Sequence, residues 1–175
     1  MEIWILKLLT VGHIFFAALF VGGNVFMDFL LSPRLELIPP GQAARLGEKL
    51  GTDFARYNWI CLGGLVIFGS ALSWRLGFFG SLVNPTFLTS GYGSALLVKE
   101  LIWTSLVITG AYMTFYLRPR VIVKLPYDAS REEIEADRDA TLGYANQMRW
   151  LARYNAIAAI VALTAAGFLR QGGLF

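Results

Sequence analysis

The chain has one histidine, His13, and it lies inside an apolar run from Ile3 to Leu31 that is broken only by Lys7, His13, Asn24 and Asp28. Lys99 and Glu100 sit together near the start of a later apolar run. An ionisable side chain within a membrane-spanning segment is costly and marks function by default. An imidazole placed there can be an axial haem ligand, a metal ligand or a proton carrier. The plainer alternative is a neutral ring hydrogen-bonded to a neighbouring helix. A buried, uncharged Lys99 can ligate iron or pass protons, whereas one that snorkels does neither; Gly91 and Gly93 lie just before it, at a helix end. Glu100 projects about 100° away from Lys99 around a helix, so it need not share the site and could face the outer water. Arg34, Arg56, Arg120 and Arg153 mark four helix ends. They can anchor to lipid phosphate or form a ring that holds carboxylates such as porphyrin propionates. Asn24 and Asp28 share one helix face, which reads as solvation or helix packing.

These residues need helices to position them. Of the 175 residues, 56% are hydrophobic and only 15% are charged, against about 25% charged in soluble domains. The apolar residues gather in four runs, about 3–31, 58–76, 94–117 and 150–169. Roughly 20 apolar residues cross a bilayer, so each run suffices for one span. The fold class expected is all-α: an integral membrane four-helix bundle filling a single domain over residues 1–175. The first run follows a glutamate, has no small-residue cleavage site after it, and is too long for a signal peptide, so it is expected to remain in the mature protein. Cys61 is the one cysteine, which excludes an internal disulfide and a cysteine metal cluster.

Basic residues set the orientation. Loops 32–57 and 118–149 hold Arg34, Arg45, Lys49, Arg56, Arg118, Arg120, Lys124, Arg131, Arg138 and Arg149, while the other side has Lys7, Arg75 and Arg170. The expectation is a bacterial inner-membrane protein with both termini outside the cytoplasm. The net charge of +3 follows from this asymmetry and is no nucleic-acid signal. Ser130, Arg131, Glu132 and Glu133 read as a capping box opening a short charged helix to about Asn146.

The sequence is internally duplicated. Leu31-Ser32-Pro33-Arg34-Leu35 recurs 86 residues later as Leu117-Arg118-Pro119-Arg120-Val121, which also brings Met27 onto Met113 and Phe29 onto Phe115. Ala55-Arg56-Tyr57-Asn58 recurs 97 residues later as Ala152-Arg153-Tyr154-Asn155. Each copy is a two-span hairpin entering the membrane in the same sense, so the bundle is expected to be two parallel repeats about an axis along the membrane normal. The offset of 86 maps His13 onto Lys99, putting both at equivalent depths on equivalent helices.

His13 with Gly22 and Gly23, the Pro33-Arg34-Leu35 exit and Lys99 resemble the HemJ-type protoporphyrinogen IX oxidase and CopD-type copper-resistance group of small membrane proteins. The resemblance covers all four spans. It implies haem b as cofactor and functional roles for His13 and Lys99, hence a haem- or porphyrin-binding membrane oxidoreductase with the arginines on propionates. The pattern's further histidine after the Pro-Arg-Leu exit is missing. Phe15, Phe16, Phe20 and Trp103 could line a porphyrin pocket, with lipid contact and core packing as the alternative. With one histidine, bis-histidine ligation within one chain is excluded. A copper or small-solute transporter is the second reading, although Met27 lies 14 residues from His13, about 21 Å along a helix, and cannot share one ion with it. A non-catalytic accessory subunit is the third. The expected partners are the lipid bilayer and either a second copy or a larger membrane complex.

Overall fold

A computed structural model describes residues 2–35, 37–81, 84–121 and 131–170. The elements run α1 (Glu2–Val25), α2 (Ser32–Leu35), α3 (Pro40–Arg75), α4 (Phe78–Ser81), α5 (Pro85–Leu88), α6 (Gly91–Ala111), α7 (Arg118–Val121) and α8 (Arg131–Arg170). No strand occurs among the described residues. Four helical segments are long and apolar enough to cross a membrane: Glu2–Leu35, Arg45–Arg75, Gly91–Val121 and Asp139–Gly167. The chain is therefore an all-α bundle of four membrane-spanning helices.

Two π-helical segments, Phe26–Leu31 and Tyr112–Leu117, link α1 to α2 and α6 to α7. Each ends two residues before a proline, Pro33 or Pro119. Proline has no N–H, and its ring crowds the carbonyl four residues earlier. The helix widens instead of breaking: the Ser32 N–H donates to the Met27 carbonyl and the Arg118 N–H to the Met113 carbonyl, both five residues back. The two segments stand 86 residues apart, so the duplication extends to the backbone.

The hydrophilic loops expected at 32–57 and 118–149 are largely helix. Pro40 opens α3 in the first helical position, where a missing N–H costs nothing, and the helix then runs unbroken to Arg75. Helix α8 likewise continues from Arg131 through the span, at about 60 Å for 40 residues. No proline follows Pro40 in α3 and none occurs in α8, so each charged segment extends its span. Ser130, the expected cap, lies outside the described residues. At the far end Gly77 adopts φ +74°, which closes α3 where other residues would be strained. Ser90 caps α6, its Oγ accepting from the Gly93 N–H at 3.1 Å. A Cβ on Gly93 would sit 1.9 Å from the Phe87 carbonyl oxygen, so the α5–α6 turn closes only around glycine.

Helices α1 and α3 form one hairpin and α6 and α8 the other, with α1 packed directly on α8. The core follows the repeat. Phe20 and Leu106, Cys61 and Ala158, and Leu62 and Ala159 are duplicate pairs, all buried in one cluster with Leu65. Within the first hairpin, glycines on each helix receive aromatic rings from the other. The Phe68 ring covers Gly12, the Phe16 ring covers Gly64, and Tyr57 covers Gly23. Nothing approaches Gly22 or Gly63, so of each glycine pair one member serves close packing.

Candidate functional site

His13 lies on α1 at the level where α3 presents Leu65 and Gly69. Its Cε1 and Nδ1 atoms lie 3.0 and 3.1 Å from where a Cβ on Gly69 would be, so the imidazole rests in space that exists because residue 69 has no side chain. The backbone of Leu65 lies beside the ring and Lys99 and Glu100 are within electrostatic reach of it. Nδ1 is nonetheless buried with no hydrogen-bond partner. A buried polar atom left unpaired costs roughly 1–3 kcal/mol, and in a bilayer no water substitutes.

Lys99 occupies the duplicate position on α6, and its side chain is 22% exposed. Its Nζ lies 2.9 Å from Glu100 Oε1. Helix geometry left open whether Glu100 joins Lys99; the long lysine stem bends around the helix to its neighbour, which Cα directions alone do not reveal. The Lys99–Glu100 ion pair lies within electrostatic reach of His13.

The four arginines are elsewhere. Arg34 is 21 residues from His13 along the first span, roughly 30 Å of rise. That is farther than one porphyrin reaches, so no single bound group touches both His13 and Arg34. Arg120 is spent on its own chain: it stacks 3.6 Å above the Tyr116 ring, faces Tyr144 at 5.9 Å and donates to the Tyr116 carbonyl at 2.6 Å. Arg153 faces Asp28 across the α1–α8 seam, and Arg34 and Arg56 are exposed at the bundle end. Arg118, which the sequence did not single out for chemistry, bridges α7 to Thr52 of α3.

Between these ends the interior carries polar pairs. Asn24 and Asn58 exchange amide hydrogen bonds at 3.2 and 3.4 Å. In the second hairpin Asn155, the duplicate of Asn58, accepts from Thr109 at 2.6 Å and donates to the Met113 sulfur at 3.5 Å. Trp59 Nε1 donates to Thr114 at 3.3 Å, joining α3 to the π segment after α6. Asn24 is thus a packing residue, as its face suggested.

Two of the hollows in the described surface lie away from His13 and Lys99. One, of about 400 Å³, is lined by Ile3, Leu6, Lys7, Thr10 and Val11. The other, of about 340 Å³, lies between the first π segment and α3. Around His13 the Phe16 and Phe68 rings fill the α1–α3 seam. The α1–α3 seam beside His13 is therefore closed by side chains. No group of three or more His, Cys, Asp or Glu side chains able to hold a metal occurs among the described residues.

The family model for copper resistance protein D (CopD) matches residues 48–169, more than two thirds of the chain. No curated protein and no solved structure matches it. The chain belongs to the CopD family.

Proposed function

From that membership we propose that this protein handles copper within the membrane, and that His13 is the first protein donor a copper(I) ion meets there. The observation that carries the reading is the buried, unpartnered Nδ1 of the only histidine, inside a four-span bundle. Imidazole and thiolate are donors that copper accepts. Cys61 follows on the face of α3 that carries Leu65 and Gly69, one helical turn beyond Leu65, and supplies the next soft donor. The ion therefore passes single donors in turn and is not held in a closed chelate, which suits release more than storage. In this reading the basic end faces the cytoplasm and both termini lie outside, following the positive-inside count.

The test is copper uptake into vesicles containing the purified protein, with wild type against His13→Ala and Cys61→Ser, and metal analysis of the vesicle contents. Uptake that falls to the level of empty vesicles in His13→Ala supports the reading. Uptake unchanged in both variants overturns it.

A second reading is favoured by one observation, the electrostatic proximity of His13 and Lys99 at duplicate positions. It is a haem-b membrane redox protein with His13 as axial ligand and Lys99 as second ligand. It needs the macrocycle on the Lys99 side of His13, and Arg34 takes no part. A visible absorption spectrum of the same preparation, oxidised and reduced, separates the two: a Soret band lost in His13→Ala belongs to the haem reading alone.

A further inference from the structure

The first π segment carries a charged residue that the copper reading does not use. Asp28 lies within Phe26–Leu31; its side chain is half-buried, and one of its two oxygens, Oδ2, is shielded from solvent without a hydrogen-bond partner. Its duplicate, Thr114, does have a partner, the indole N–H of Trp59. The first hairpin thus differs from the second by an unsatisfied carboxyl at the same point of the same distorted backbone. A carboxylate oxygen left without a partner in that state is expensive.

The groups around Asp28 are few. From α8, Arg153 is the charge that acts on it, and the two are not closed into an ion pair. From α3, Asp53 and Tyr57 line the adjoining hollow together with Met27, and the Tyr57 hydroxyl is already donated to the Leu19 carbonyl at 2.6 Å. From α2, Arg34 follows six residues later and is exposed. Helix α8 is fixed at this level, since Tyr154 and Asn155 bond Ser105 and Thr109 of α6, each at 2.6 Å. The long side chain of Arg153 is therefore the part that can move.

We propose that Asp28 is a proton-binding site at the basic end of the bundle. With Arg153 turned away, the carboxyl holds its proton. When the guanidinium closes on it, the O–H bond breaks, the proton leaves to water at the basic end, and a neutral α1–α8 contact becomes an ion pair. The site stands independently of copper.

Dicyclohexylcarbodiimide, which partitions into membranes and attacks protonated carboxyls in apolar surroundings, tests this on the full chain in lipid vesicles without copper. Peptide mass mapping across a pH series reads adduct formation at Asp28, with exposed Asp53 as the solvated control. Labelling of Asp28 at neutral pH, its absence from Asp28→Asn, and its persistence to higher pH in Arg153→Gln support the proposal. Arg153→Lys, which keeps the charge, restores the wild-type pH course. An Asp28 that stays unlabelled at every pH, or labels identically in wild type and Arg153→Gln, overturns it. The arginine variants keep Asp28 itself and decide the matter even where Asp28→Asn fails to fold.

Discussion

Tyr57 and Tyr154 make the same inter-helix bond in the two halves of the molecule. The Tyr57 hydroxyl lies 2.6 Å from the Leu19 carbonyl oxygen, and the Tyr154 hydroxyl lies 2.6 Å from Ser105 Oγ. Leu19 and Ser105 are 86 residues apart and the tyrosines 97, the two offsets of the sequence repeat. The bonds differ in one respect: the carbonyl in the first half is already an acceptor within α1, whereas Ser105 contributes a side chain. Tyr57→Phe is expected to destabilise the bundle by about 0.6–1.7 kcal/mol, the range for hydrogen bonds between membrane helices. A double-mutant cycle on Tyr154→Phe and Ser105→Ala, read by unfolding in detergent, should return a coupling energy of the same order.

The glycine and aromatic seam of the first hairpin predicts opposite outcomes for neighbouring glycines. A Cβ on Gly64 would lie 2.4 Å from the Phe16 ring, while Gly22 has nothing within 4 Å. Gly64→Ala should cost about 1–3 kcal/mol through overpacking. Gly22→Ala should be neutral or stabilising by up to about 1 kcal/mol, the helix preference for alanine. Thermal unfolding of the two variants side by side checks the contrast.

Trp59 and its duplicate, Ala156, set the two seams between the hairpins. Ala156 is fully buried, and α1 packs directly on α8. Trp59 instead spaces α3 from α6, bonding Thr114 and lying 5.8 Å from the Phe115 ring. Ala156→Leu is expected to destabilise by about 1–3 kcal/mol. Trp59→Phe keeps the ring contact, loses the N–H bond and should cost about 0.6 kcal/mol. Denaturation in mild detergent ranks the two.

Glu100 predicts a graded effect at the His13 site. Its side chain is 46% exposed, so the ion pair with Lys99 adds little stability, and Glu100→Gln should unfold with the wild type. Loss of the carboxylate leaves the Lys99 charge unbalanced beside His13, and copper uptake should weaken without being abolished. Equal uptake in Glu100→Gln and wild type would show that Lys99 and Glu100 act apart from His13.

Much of the architecture was legible in the residue order. Runs of apolar residues long enough for a bilayer require helices, since the lipid satisfies no backbone group, and the two offsets placed Met27 with Met113 and Tyr57 with Tyr154. The equivalence of His13 and Lys99 followed from the same arithmetic. The extent of α3 and α8 did not, because charged, poorly periodic segments such as 40–57 read as loop until the span they continue is known to be helical. The π segments were also hidden: Pro33 and Pro119 announce a disturbance, and whether the helix breaks or widens depends on what packs around it.

The residue pattern by itself determined the spans, the repeat and the residues on which chemistry could rest, since these follow from solvent, length and periodicity along one chain. Only tertiary structure decided which of those residues meet. It set His13 against Gly69 with Nδ1 unpaired, drew Glu100 to Lys99, and brought Arg153 within electrostatic reach of Asp28. Such meetings depend on the rotation of each helix about its axis. Rotation is set by ring-into-glycine packing between helices, and no periodicity within a single helix encodes it.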